Sequence, residues 1–204
     1  MAIIINGTGS ITGISAGGYP DASINTEDLN AGTASAGQSL VANAASGAMS
    51  WGSSIVSGTA QNSTSGTAID FTGIPSWVKR ITVMFNGVST NGTSNLLLQI
   101  GAGSVTTSGY NSQAWTANTI NTNATNGYLL TAVNAAAPVY YGNLFICNFG
   151  SNAWVESHAI GGTTAFTSHG GGAVTLSGTL DRIRITTVNG TDTFDAGSIN
   201  IMYE

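Results

Sequence analysis

Two strings in the chain carry the letters of hydrolytic chemistry. Gly13-Ile14-Ser15-Ala16-Gly17 fits the GxSxG pattern, in which a strained strand-to-helix turn exposes a serine nucleophile, and His169-Gly170-Gly171-Gly172 fits the string that lines a lipase oxyanion hole. The elbow needs a helix directly behind the serine, and Gly18-Tyr19-Pro20 does not start one; the HGGG string also falls on the wrong side of it in sequence. Gly7-Thr8-Gly9 opens like a dinucleotide loop, but Thr12 stands where the third glycine belongs and no βαβ unit surrounds it, so a turn is the simpler reading. The two histidines are His158 and His169, and Glu156 shares a strand face with His158. Glu156 and His158 form half of a metal site that His169 would have to approach; a polar edge or a satisfied pair facing solvent is the preferred alternative. Asp192 and Asp195, beside Asn189-Gly190, offer hard oxygens suited to calcium, although aspartate in such a turn more often accepts from its own backbone. Cys147 is the single cysteine, which excludes an intrachain disulfide and a CxxC site, and its apolar neighbours Leu144, Phe145 and Ile146 point to an inert buried thiol.

Aromatic side chains offer binding chemistry instead. Tyr110, Trp115, Tyr128, Tyr140 and Tyr141 suit stacking on the sugar rings of a glycan. Tyr140 and Tyr141 are adjacent, so one enters the core if the segment is a strand, and the candidates for recognition reduce to Tyr110, Trp115 and Tyr128. Asp70, Lys79, Arg80, Asp181 and Arg182 read as structural ion pairs across strands or subunits rather than as an acid/base dyad. A glycan-cleaving groove needs a carboxylate pair, and the chain has three glutamates, Glu27, Glu156 and Glu204, two of them near its ends. The expectation is therefore no enzyme, no cofactor and no metal.

The elements that would hold these residues are strands. From Trp51 onward, β-branched and aromatic runs alternate with turn residues at intervals of roughly 8–12, the pattern of a sandwich or barrel. Alternation in Lys79–Phe85 places Ile81, Val83 and Phe85 on one face, with Asn86-Gly87 ending the strand and Ser94–Ile100 returning antiparallel. Val139–Asn148 and Trp154–Ile160 form a hairpin through Phe149-Gly150-Ser151-Asn152, and Val174–Leu180 follows as a further strand. Arg182–Val188 turns at Asn189-Gly190, and Ser198–Tyr203 closes the chain as a regular strand inside a sheet. Residues 101–137, rich in Ser, Thr and Asn, read as long exposed loops. Residues 1–50 hold Tyr19 as their one aromatic and cannot bury enough apolar surface to fold alone. Within them Ile3–Ile5, Ile11 and Ile14 read as short strands around Asn6-Gly7, and Ser23–Leu29 as the one short helix. The fold class is all-β, an antiparallel, jelly-roll-like sandwich over residues 51–204 behind an extended arm and neck over residues 1–50.

Only 6% of the 204 residues are charged, against about 25% in an average globular protein. Such a surface lacks the charges that keep sheet edges and apolar patches apart, which predicts an obligate oligomer. Four basic residues against nine acidic ones leave no positive stripe for phosphates and argue against nucleic acid. The opening Met1–Ile5 lacks the basic flank and length of a secretory signal, and no run approaches the roughly 18 apolar residues of a membrane span. The Asn-x-Thr triplets at Asn91 and Asn189 then mark turns rather than glycans.

Three stretches carry a resemblance. Ile3-Ile4-Ile5-Asn6-Gly7-Thr8-Gly9-Ser10-Ile11-Thr12-Gly13-Ile14, followed by Gly17-Gly18-Tyr19-Pro20-Asp21, is similar to the amino-terminal piece of phage and prophage tail-fibre-like proteins. Ala36–Asn43 through Gly47–Trp51 is similar to a Gly-Gln-x-Leu element, ending at a Trp, of trimeric fibre shafts. Ile74–Val83 with Asp181-Arg182 and Thr191–Ile201 resembles a carboxy-terminal module of such proteins. The resemblance implies a homotrimer with its amino-terminal part fixed to other tail or baseplate proteins and its distal part meeting the host surface. It implies a virion-tail location after synthesis in the host cytoplasm. Ile3, Ile4, Ile5, Ile11 and Ile14 would be the anchor, and Leu40 and Trp51 would be buried between subunits. A head-decoration or tail-assembly protein without receptor binding is the alternative.

Overall fold

The computed structural model describes residues 38–42, 49–52, 54–116, 121–163 and 167–204. The expected anchor isoleucines, the Ser23–Leu29 helix, the GxSxG string and Gly7-Thr8-Gly9 lie outside the described residues. The chain divides into two compact units, residues 1–54 and 55–204. In the first, β1 (Ser39–Ala42) and β2 (Met49–Gly52) pair antiparallel, with Leu40 directly opposite Trp51.

The second unit is an antiparallel β-sandwich. In chain order its strands are β3 (Val56–Ser57), β4 (Gln61–Asn62), β5 (Ile69–Thr72), β6 (Arg80–Thr90), β7 (Leu96–Ala102), β8 (Ser104–Val105) and β9 (Asn111–Thr116). They continue as β10 (Asn121–Ala124), β11 (Tyr128–Leu129), β12 (Tyr140–Gly150), β13 (Ala153–Gly162), β14 (Thr167–Thr175), β15 (Arg182–Thr187) and β16 (Phe194–Tyr203). The larger sheet runs β10-β9-β14-β13-β12-β6-β16-β3, with β4 also on β16, and the smaller runs β11-β7-β15-β5, with β8 on β7. Strict alternation in the central strands sends Ile81, Val83, Leu144, Ile146, Ile199 and Ile201 inward from the larger sheet. They meet Phe71, Leu98, Ile100, Ile183 and Ile185 of the smaller sheet in one core. Among the described residues no helix is long and apolar enough to cross a membrane.

The hairpin read between residues 139 and 160 is present. β12 and β13 pair around Ser151 and Asn152, whose φ values of 48° and 62° fit a tight two-residue hairpin turn. β16 lies between β6 and the short edge strands, inside its sheet.

Four other expectations are corrected. Asn86-Gly87 does not end a strand: β6 runs on to Thr90 because Gly87 takes φ 73° and forms a bulge. Gly142 (φ 142°) and Gly197 (φ 88°) flank it on β12 and β16, so the bend is shared by three strands. Ser94–Ile100 does not return beside β6; β7 belongs to the smaller sheet, since Leu96 to Ile100 are buried on both faces and need cover on each. The strand placed at Val174–Leu180 is β14, which ends at Thr175 and runs back through His169-Gly170-Gly171-Gly172. Residues 101–137 are not a set of long loops but contain β8 to β11; in β9 Ser112, Ala114 and Thr116 are buried and alternate with Asn111, Gln113 and Trp115.

Candidate functional site

The structure separates the expected recognition residues. Tyr110 and Tyr128 are buried and meet edge to face at 5.0 Å. The Tyr110 hydroxyl accepts from the Ile100 N–H at 2.8 Å and donates to the Ile100 carbonyl at 3.2 Å; the Tyr128 hydroxyl donates to the Trp154 carbonyl at 2.9 Å. Burial pushes the Tyr110 phenol up to about 12 and the Tyr128 phenol higher still, the second also raised by Tyr110 and Glu156. Both are core tyrosines and not contact residues, because a polar segment still buries its large rings. Tyr140 is likewise buried, its hydroxyl donating to Asn134 Oδ1 at 2.8 Å, while its neighbour Tyr141 is exposed. Trp115 stays at the surface, 44% exposed, and meets His169 edge to face at 4.5 Å across the β9–β14 pair.

Glu156 and His158 lie on the inner face of β13, with no exposed side-chain surface, and His158 Nδ1 stands 2.8 Å from Glu156 Oε1. This corrects the expected solvent-facing pair. His169 is on the opposite face of the sheet, beside Ala159, so it cannot complete a metal site with them. Among the described residues no cluster of three His, Cys, Asp or Glu is placed to hold a metal ion. Desolvation raises the Glu156 carboxyl, and its bond to His158 opposes that rise. Gly170 makes room for the pair: a Cβ there would stand 2.3 Å from the Gln113 carbonyl oxygen and 2.7 Å from His158 Cε1. The HGGG string is thus the floor beneath a buried ion-pair candidate and has no oxyanion geometry. Glu156 Oε2, His158 Nε2, Ser168 Oγ and Trp154 Nε1 are buried atoms of this inner face without a hydrogen-bond partner.

The charged residues pair off within the chain. Arg184 grips Asp70 through two bonds of 2.7 Å across β5–β15, Arg182 holds Asp181 at 2.8 and 3.1 Å, and Arg80 meets Glu204. The Arg182 guanidinium holds the Asp181 carboxyl below its usual range, helped by the Gly103 N–H. Asp192 accepts from the Ser94 N–H at 2.8 Å and from Asn189 Nδ2 at 2.7 Å, and Asp195 accepts from the Ser89 hydroxyl. These aspartates tie turns together.

Besides Ile55, Trp77 and Val188, the large apolar side chains exposed among the described residues lie on the outer face of the larger sheet. Tyr141 and Phe145 on β12, Val155 on β13 and Trp115 on β9 each expose 40% or more of their surface, and Phe149 at the end of β12 exposes 81%. No Asp, Glu, Lys or Arg points outward from β9, β12, β13 or β14. Charge depletion was legible in the composition, but that it concentrates on one sheet face follows only from the register. Such a face can stack on rings and bury apolar area, and it cannot hold a charged ligand. Compared with known proteins, the chain matches no family model, no curated protein and no solved structure.

Proposed function

We propose that this chain is a structural protein of a phage virion, a homotrimeric tail-fibre subunit that attaches to other tail or baseplate proteins and contacts the host surface by multivalent binding. It is not an enzyme in this reading. The amino-terminal resemblance assigns residues 1–50 to attachment, with Ile3, Ile4, Ile5, Ile11 and Ile14 as the anchor and Leu40 and Trp51 between subunits. The observation that carries the reading is the uncharged outer sheet face with its exposed aromatics, in a chain whose arginines are engaged internally. Three weak sites on one rigid support raise avidity without any tight single contact. Trp115, backed by His169, is the receptor contact that survives from the three candidates, and the ligand class is a neutral surface glycan.

One observation favours a purely architectural role, in head decoration or tail assembly: the segment expected to carry recognition places Tyr110 and Tyr128 in the core. Capture of labelled full-length protein on host cells separates the two. The fibre reading expects capture that falls at least tenfold in Trp115→Ala with unchanged mass in solution. A trimer that ignores cells supports the architectural role, and a monomer overturns both homo-oligomeric readings.

A further inference from the structure

The outer face of the larger sheet has relief. β12 carries a ridge in which Tyr141, Asn143 and Phe145 stand outward, extended at its end by Phe149. Beside it β13 and β14 set Ser157 opposite Gly171, with Val155 opposite Ala173 on one side and Ala159 opposite His169, then Gly161 opposite Thr167, on the other, so the small residues leave a shallow trough two strands, or about 10 Å, wide. A Cβ on Gly161 would meet nothing within 4 Å, so none of the described residues fills that space. Trp115 forms the far rim of the trough, across from His169.

We infer that this face is an interface between copies of the chain, with the β12 ridge of one copy seated in the β13–β14 trough of the next. The inference deepens the function proposed above and rests on its homo-oligomeric part.

Charge selects the occupant. An ordinary protein surface, about one quarter charged, would bury unpaired charges against these strands at a cost of several kcal/mol each. The chain's own surface, with 6% charged residues overall and none pointing outward from these strands, imposes no such cost. The four strands without outward charge span about 19 Å and their outward rows run for about 20 Å, roughly 400 Å² in plan before side-chain relief is added, which is about half of what each partner gives to a stable interface. Around a threefold axis the ridge-to-trough contact is head to tail and closes into a ring that fills each trough, while Trp115, on the β9 rim outside the ridge, stays open to the receptor.

Cys147 gives the face a built-in reporter, because it lies on the same ridge, half-buried and directly opposite Val155. The test uses the full-length chain, with mass by light scattering and the rate of Cys147 with a maleimide. Phe145→Lys and Val155→Lys each place a charge on the face and should convert the assembly to monomers with unchanged near-ultraviolet circular dichroism. Cys147 should then react at least tenfold faster. Thr72→Lys, on the outer face of the smaller sheet, should leave the mass unchanged. If both face variants keep the oligomer, this interface is wrong while the homotrimer reading stands. A monomeric wild type overturns both, and a monomer whose Cys147 is nevertheless slow means that another part of the chain covers the face. Should the lysine variants misfold, the wild type decides: Cys147 reacting in the assembly at the rate of a free thiol overturns the proposal, and slow reaction that becomes fast on dilution into monomers supports it.

Discussion

At the scale of single residues, the buried Glu156–His158 pair depends on what is missing beside it. Gly170 faces His158 across β13–β14, and a methyl group there has nowhere to go because the Gln113 backbone oxygen blocks it. Gly170→Ala should therefore destabilise the domain by about 1–3 kcal/mol, the usual cost of overpacking, whereas Gly161→Ala, with open space around its Cβ, should stay within about 0.5 kcal/mol in monomeric protein. Denaturant midpoints compare the two. Removing the imidazole is worse: His158→Ala strips the Glu156 side chain of the polar partner it has among the described residues and should cost about 3–5 kcal/mol, as for other broken buried pairs. The same carboxyl gives a pH signature. Burial raises its pKa above the ordinary 4.5, so the folded state holds that proton more tightly than the unfolded chain does. The stabilisation is complete below about 4.5 and is lost as pH rises through the raised value. His158, Tyr128 and Tyr110 are the titratable neighbours, and both phenols are pushed too high to titrate in that window. Melting temperature followed from pH 4 to 8 should fall for the wild type relative to Glu156→Gln, and parallel curves would refute the assignment. The sequence offered Glu156 and His158 as a pair on one face, which holds. It did not show which face, because Glu-Ser-His alternates equally well in either direction.

Among elements, legibility followed locality. The β12–β13 hairpin could be read because its two-residue turn and both strands lie within one short stretch, and β16 because six residues alternate without a break. The pairing of β7 could not be read, since Asn91-Gly92 looks like a hairpin turn whether the next strand returns in the same sheet or crosses to the other. Likewise Asn86-Gly87 has the composition of a hairpin turn, and only the neighbouring Gly142 and Gly197 turn it into a bulge within a continuing strand. That corner is closely packed: a Cβ on Gly197 would stand 2.2 Å from the Gly87 carbonyl oxygen, and φ 88° is itself unfavourable for other residues. Gly197→Ala should separate β16 from β6 locally and lower the unfolding free energy by about 2 kcal/mol or more. Amide exchange would then accelerate at Ser198 and Ile199 before it does in β13. Deleting Ile199–Glu204 removes Ile199, Ile201 and the backbone bonds from Lys79 and Arg80 to Glu204, and should leave no cooperative unfolding transition.

For the whole molecule, the scarcity of charge decides how it meets anything else. The ion pairs among the described residues, apart from Glu156–His158, are at the surface and within the chain, where solvent screening leaves each of them little to contribute. Little is left over for long-range steering, and the outer face of β9, β12, β13 and β14 has none to offer. Association through that face would draw on apolar area and neutral hydrogen bonds, which salt screening does not touch. Raising sodium chloride from about 0.05 to 0.5 M should then change the dissociation constant of the assembly by less than about threefold, measured by sedimentation at micromolar concentration. Sulfate, which strengthens the burial of apolar surface, should tighten it. An assembly held by charges would behave in the opposite way, loosening steadily with sodium chloride. That result would move the contact to the ends of the sandwich, where Arg80, Glu204, Asp181 and Arg182 are found, and away from the ridge and trough.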